Sequence, residues 1–320
     1  MSGRQTIDPD ELGDKQDIYH KIEDSGHIPV LADTLVEQVA LPTDGIMVDV
    51  TIGQGGHSFL FAHQLGPQGI ILGLDVDEQA LAKARSRLCN LPCKCLFSRS
   101  NFSDLNQCIA LHGLGKVDFI LADLGYSSVQ LQNNEIGISF QQDMPLDMRI
   151  DRSLNTSAAD IVNKISEKEL ADLIFEYGQD RASRRIARFI VQQRGHEPIK
   201  TTKQLAAVVC KALHRPGKKK WSRIHPATRT FQALRIAVNH ELDNLKCLLA
   251  NAPDILKPGG LIAVISFHSL EDRLVKYSFR ENKHAGIYHL LTKKPLVPTE
   301  KELQQNKRAR SAKLRIAKRL

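Results

Sequence analysis

The run Asp49-Val-Thr-Ile-Gly53-Gln-Gly55-Gly56-His57 follows an apolar stretch, and Asp75 stands 20 residues past Gly55 at the end of Gly69-Ile-Ile-Leu-Gly-Leu-Asp. A glycine turn lets the backbone approach a ligand closely and takes positive φ without steric cost. A carboxylate closing the next apolar run is placed to accept hydrogen bonds from ribose hydroxyls. Together they read as a βαβ nucleoside-binding unit, although an ordinary glycine-rich strand-to-helix turn has the same outline. The dinucleotide fingerprint G-x-G-x-x-G is not completed, because Gly56 follows Gly55 directly and Ser58 stands at the third glycine position. No Lys-Ser/Thr pair of a P-loop follows. Asp49, four residues before Gly53, suits a ligand with a cationic amine better than a pyrophosphate. The expected cofactor is therefore S-adenosylmethionine.

A second group of reactive types follows another apolar run, in Asp123-Leu-Gly-Tyr126-Ser127-Ser128. An acidic residue, two small or rigid positions and an aromatic suit transfer of a methyl group to an exocyclic amine. Such an amine is a poor nucleophile because its lone pair is delocalised into the base. Acceptors on its N–H groups hold it, and an aromatic face can carry the base. The alternative is that Asp123 caps a loop and Tyr126 packs in the core. In Ser266-Phe267-His268-Ser269-Leu-Glu271-Asp272-Arg273, Ser269 is the expected helix cap, with Glu271 and Asp272 complementing the helix start. His268 is a candidate for proton removal or base contact. From His225 to Asn239, Thr228, Gln232, Arg235 and Asn239 share one helical face, able to grip RNA or bracket the cofactor, while Phe231, Leu234 and Val238 line a core face. Asp147 and Arg149 form either a structural ion pair or part of a substrate wall.

The elements that must position these groups alternate at first. Strands are expected at 46–50, 70–74, 94–97 and 117–122, with helices at 58–65 and 78–88. Residues from about 134 to 236 then read as helices only, before a buried strand at 261–267 and a closing pair at 287–291 and 312–316. The fold class is α/β, a Rossmann-like, mostly parallel sheet. The expected division is an acidic mobile extension at 1–26, a core of 27–133 and 237–320, and an inserted helical substrate-recognition domain at 134–236.

Charge sharpens the partner class. The net charge is +8, and 14 Lys and Arg lie between Arg181 and Arg229 against the single acid Glu197. Ten more lie between Lys293 and Arg319 against two acids, whereas residues 1–26 carry seven acids and three bases. Two basic segments on an otherwise acidic chain indicate a localised polyanion site. No apolar run reaches membrane-spanning length, and the N-terminus lacks a signal pattern. Cys89, Cys93 and Cys95 match no common zinc spacing, so no metal is expected and reduced thiols in the cytoplasm are.

His27-Ile-Pro-Val-Leu, Gly55-Gly56-His57-Ser58, Asp123-Leu-Gly-x-Ser-Ser, Pro145-Leu-Asp-Met-Arg149, His225-Pro-Ala-Thr-Arg-x-Phe-Gln-Ala-Leu-Arg235, Phe267-His-Ser-Leu-Glu-Asp-Arg273 and Ala309-Arg-Ser-Ala-Lys-Leu-Arg315 occur in this order. From about residue 27 to its end the chain resembles the RsmH/MraW family of ribosomal RNA small-subunit methyltransferases. The resemblance implies a class I methyltransferase fold with a helical insertion. It also implies N4-methylation of a cytidine near the decoding centre of 16S rRNA, with the small ribosomal subunit as partner; a monomer and a homodimer stay open as the acting form. By motif it implies that Gly55, Gly56 and His57 contact the methionine portion of S-adenosylmethionine, that Asp75 holds the ribose, that Phe102 packs by the adenine, and that Asp123 and Gln130 complete the pocket. Tyr126 stands where the family usually has a small aliphatic, Val129 where it has proline, and Asn306-Lys307 where it often has Asn-Pro. Competing readings are an amino-methyltransferase acting on DNA or a small molecule, a catalytically silent ribosome-assembly factor, and a dehydrogenase.

Overall fold

In the computed structural model, residues 29–126, 136–214 and 225–320 are described. Five short apolar runs form parallel strands: β1 (Ile46–Asp49), β2 (Ile70–Asp75), β3 (Lys94–Arg99), β4 (Val117–Asp123) and β5 (Leu256–Ser266). The antiparallel β6 (Tyr288–Leu290) and β7 (Lys313–Arg319) complete a seven-stranded sheet of order β3-β2-β1-β4-β5-β7-β6. Strand residues alternate between two cores. Val48, Leu72, Ile120, Ile262 and Val264 face one apolar cluster, and Met47, Ile71, Phe119, Leu121, Ala263 and Ile265 face the other. Burial on both faces explains why β1, β2 and β4 read as nearly continuous apolar runs.

Strand order reverses between β1 and β4, which pair with each other while their onward neighbours lie on opposite sides. In an open α/β sheet this is where a crevice opens beyond the carboxyl ends of the strands. Here it lies between the glycine turn after β1 and Asp123 at the end of β4. The turn feeds α1 of the sheet layer (Gly56–Ala62), and Asp75 leads to α2 (Glu78–Leu88), capped by Asp77. A short helix, α3 (Leu105–Leu111), packs Leu105, Cys108 and Ile109 beneath the sheet.

Between β4 and β5 the chain builds a helical layer from α4 (Ala158–Lys164), α5 (Glu167–Gly178), α6 (Ser183–His196), α7 (Thr202–Leu213) and α8 (Thr228–Asn239). Capping boxes at Ser157, Ser166 and Thr201 open three of them. Their apolar stripes close on a separate cluster containing Ile161, Leu170, Ile174, Ile186, Ile190, Leu205, Val209, Phe231, Leu234 and Val238. The expected return to the sheet at 237 therefore falls inside α8, which packs by Phe231, Leu234 and Val238 among the helices. The sheet side resumes with α9 (Glu241–Ile255), whose Leu245, Leu248, Leu249 and Ala252 join a sheet cluster. β5 starts at Leu256 rather than 261, and Lys257 to Gly260 form an irregularity within the strand. Gly259 takes φ +85°, which the turn requires, and Lys257 reaches Asp118 at 2.8 Å. After β5 come α10 (Ser269–His284) and, before β7, α11 (Glu300–Gln305).

The Pro145–Arg149 segment ties this layer together. Arg149 binds Asp147 through Nε at 2.7 Å and Nη2 at 2.9 Å, and Arg152 adds Nη1 at 2.9 Å. Burial would raise the Asp147 carboxyl, but the bonds from Arg149 outweigh it and hold it low. Asn239 donates to the Met148 carbonyl and accepts from the Ile150 N–H, pinning the end of α8 to this loop. Among the described residues no helix is long and apolar enough to cross a membrane. Residues 1–26, the expected acidic extension, lie outside the described residues.

Candidate active site

A cleft of about 1230 Å³ opens at the switch point. Gly53, Gly56 and His57 line it from the glycine turn, Asp123 and Tyr126 from the end of β4, and Phe267 and His268 from the end of β5. The helical layer closes the far side with Phe140, Thr228, Gln232 and Arg235. Of the groups expected from sequence, Gly56, His57, Asp123, Tyr126 and His268 thus share one cavity. Gly55, Asp75 and Phe102 do not line it. Gly55, at φ +79°, faces α2, where an added Cβ would stand 3.4 Å from the Ala84 backbone. Phe102 starts a 3-10 turn and packs against the sheet cluster. Gln130, Ser127, Ser128 and Val129 fall outside the described residues.

Asp75 sits behind the turn. Its two oxygens accept from the N–H groups of Gly53 and Asp77, each at 2.9 Å. Burial pushes its carboxyl up to about 6 despite these bonds. Each carboxylate oxygen has two lone pairs, so one on each is left for hydroxyl donors.

Asp49 has another task. It is 2% exposed, accepts from Ser58 Oγ at 2.7 Å and from the Thr51 N–H at 3.3 Å, and does not line the cleft. It holds the turn rather than presenting a carboxylate to a ligand amine. Burial pushes its carboxyl up to about 6, against the pull of Ser58. The ordinary value is 3.8. Between these pH values the folded state binds a proton that the unfolded chain does not, so folding is penalised increasingly as pH rises through this window and fully above it. Asp49→Asn is expected to stabilise the protein by on the order of 2–3 kcal/mol at pH 8 and to be neutral near pH 4. Urea denaturation at the two pH values checks this; equal destabilisation at both would mean that the turn requires a carboxylate.

The His57 ring is 7% exposed, and its Nδ1 and Nε2 make no hydrogen bond. Nε2 lies 3.4 Å from Asp123 Oδ2. The other Asp123 oxygen accepts from the Gly125 N–H at 3.0 Å, and the Asp123 N–H donates to Thr51 Oγ1 at 2.7 Å. A buried imidazole with both nitrogens unsatisfied on a cavity wall is suited to a polar ligand.

His268 corrects the expected cap. The cap of α10 is His268, whose Nδ1 accepts from the Glu271 N–H at 3.4 Å, while Glu271 Oε2 accepts from the Phe267 and His268 N–H groups at 2.7 and 3.2 Å. Ser269 lies one residue too far into the helix and donates instead to Gln179 of the helical layer at 2.7 Å. Asp272 is claimed by Arg315 and Lys313 of β7 at 2.7 and 3.2 Å. Capping through Nδ1 leaves Nε2 to bear the proton, 3.0 Å from Glu271 Oε1 and 4.0 Å from Glu241 Oε2. Burial alone would lower the imidazole's pKa; the neighbouring Glu241 and Glu271 carboxylates outweigh it and raise it.

Glu241 was invisible to motif reasoning. It follows a helix break at His240 (φ +51°), which folds it back on Arg235 of the preceding helix. Burial would raise its carboxyl, but Arg235, His268 and Tyr126 bring it down to about 2. One atom from each of Glu241, His268 and Glu271 lies within 4.8 Å of the others, a grouping of metal-ligand types. Of the three, Glu241 is already engaged by a cation, the Arg235 guanidinium, bound to both its oxygens at 2.8 and 2.9 Å.

A parallel sheet of order 3-2-1-4-5 extended by the antiparallel pair 7-6, with a glycine turn after β1 and a carboxylate after β2, is a class I methyltransferase core. The family model described as the MraW methylase family matches residues 24–320. The protein named Ribosomal RNA small subunit methyltransferase H from Koribacter versatilis is 49% identical, over 93% of this chain and 95% of its own. Its namesake from a Picosynechococcus species is 50% identical over 91% and 96%, and that from Acidobacterium capsulatum 46% over 92% and 99%. The chain belongs to the MraW methylase family.

Proposed function

We propose that this protein methylates the exocyclic N4 amine of a cytidine in 16S rRNA, near the decoding centre of the small ribosomal subunit. S-adenosylmethionine is the cofactor. The observation that carries the reading is the extent of the likeness to the small-subunit rRNA methyltransferases, which spans the glycine turn, the end of β4 and the helical layer alike. The cofactor fits the residues present: the two buried nitrogens of His57 make no hydrogen bond at the glycine turn, and Asp75 keeps lone pairs for ribose hydroxyls. Gly55, Gly56 and His57 would hold its methionine portion, with Phe102 beside the adenine and Asp123 and Gln130 completing the pocket. When bound, S-adenosylmethionine supplies a sulfonium methyl group that an amine lone pair can accept.

The chain's own residues hold the acceptor. Asp123 Oδ2, on the cleft wall, accepts from the amine N–H and keeps its lone pair directed at the donor. Tyr126 and Phe267 supply aromatic walls for a base taken out of its stack. His268 contacts the base from the end of β5. Proximity and orientation supply most of the rate enhancement, and the amine proton leaves to water. Exposed Arg181, Arg184, Arg185 and Arg188 on and before α6 supply phosphate contacts on the helical layer. Lys218, Lys219 and Lys220, expected to contribute as well, lie outside the described residues.

The test is methyl transfer from labelled S-adenosylmethionine to unmodified small subunits, free rRNA and DNA, followed by nucleoside mass spectrometry. N4-methylcytidine on subunits or rRNA is the expected product. Cofactor binding without transfer to any of them would favour an assembly factor, and transfer to DNA alone would overturn the RNA assignment.

A further inference from the structure

Arg235 is more tightly held than its place on a polar helix face suggests. Its Nε and Nη2 donate to the two oxygens of Glu241 at 2.8 and 2.9 Å. Its guanidinium lies over the Tyr126 ring, 4.2 Å from the centroid, and the Tyr126 hydroxyl donates to the same Glu241. Glu241 itself does not line the cleft, whereas Arg235 and Tyr126 do. One edge and one face of the guanidinium are therefore committed to the protein. The Nη1 donors make no hydrogen bond among the described residues, and no ring other than Tyr126 lies against the guanidinium.

A guanidinium fixed in this way is a planar cation with the two Nη1 donors in reserve. RNA-binding proteins read the edges of unstacked bases by hydrogen bonds, and Arg presents its donors in a fixed fork. Because Glu241 has already immobilised the side chain, little rotamer entropy is lost when a base arrives. Donors alone select an edge rich in acceptors. Cytosine presents O2 and an unprotonated N3, whereas uracil presents an N3–H that would oppose the Nη1 donors.

We propose that Arg235 is a substrate-contacting residue that reads the acceptor edge of the target pyrimidine through Nη1, and that Glu241 is the positioning residue that locks it against Tyr126. This rests on the cytidine reading above and assigns the side chain that selects the base. Lysine cannot replace arginine here, because it keeps the charge but has neither plane nor fork.

The experiment compares Arg235→Lys and Glu241→Gln with the wild type in full-length protein. It measures steady-state methyl transfer to unmodified small subunits and calorimetric affinity for S-adenosylmethionine. Arg235→Lys is expected to lower kcat/KM for the subunit about 10- to 100-fold, corresponding to one good base contact, with cofactor affinity within about twofold of wild type. Glu241→Gln keeps an acceptor for Tyr126 and is expected to lower kcat about 3- to 10-fold with little change in KM, because a misaligned contact costs orientation; it also carries the test if Arg235→Lys does not fold. Wild-type kcat/KM in the folded Arg235→Lys variant, or a parallel loss of cofactor affinity, overturns the assignment. An active wild type with unaffected variants overturns this inference alone, whereas a wild type inactive on all RNA overturns the cytidine reading with it.

Discussion

Asp123→Ala is expected to lower single-turnover methyl transfer about 10²- to 10³-fold, the range found when one preorganised polar group is removed from a reacting centre. Asp123 stands at the carboxyl end of β4 beside the reversal of strand order, with Oδ2 on the cleft wall 3.4 Å from His57. Among the described residues its other oxygen supports only the Gly125 N–H of the turn, and its neighbours Leu121 and Ala122 keep the strand buried. The fold should therefore survive, with a melting temperature lowered by no more than about 5 °C, the shift expected from losing one exposed-turn hydrogen bond. Full activity in this variant would place the acceptor amine elsewhere in the cleft.

The second large effect is on the cofactor. Asp75→Ala removes the carboxylate that is left to meet two hydroxyls, and hydrogen bonds to a charged group contribute about 1.5–3 kcal/mol. Affinity for S-adenosylmethionine should fall roughly 10- to 100-fold by calorimetry. The pH dependence has a definite sign. Burial holds the Asp75 carboxyl at about 6, so the accepting carboxylate predominates above that value and the wild-type affinity declines as pH drops through it. The Asp75→Ala variant should lack this decline. Unchanged affinity at pH 8 would remove Asp75 from the ribose site. Because Asp75 also bonds the Gly53 N–H, circular dichroism and melting of the variant must accompany the titration.

Much of the frame was legible because its signals are local. A strand buried on both faces announces itself as an apolar run, and a helix by its period and its cap. Glu78–Leu88 accordingly has the ends expected of it. The glycine turn, Asp75 and Asp123 were legible for a related reason: in an alternating α/β chain, the carboxyl end of each strand falls on the same edge of the sheet. Local signals mislead where two groups compete for one role. Ser269 has the better chemistry for a helix cap, yet His268 occupies the cap position, because the backbone of β5 ends one residue earlier. Asp49 has the charge to meet a cationic ligand, yet Ser58 and Thr51 take its oxygens beneath the turn.

The sequence by itself determined the α/β frame, the glycine turn with its answering carboxylate, the helical layer between β4 and β5, and the family resemblance. Periodicity, capping and turn chemistry act over a few residues and are written in the order of the chain. Only the tertiary structure decided which polar groups share a cavity and which serve the fold. Glu241 meets Arg235 across a helix break, Tyr126 across 115 residues and His268 from a different strand end. No spacing encodes that meeting, because it depends on how the helical layer packs against the carboxyl edge of the sheet, where burial brings distant charges close enough to fix one another.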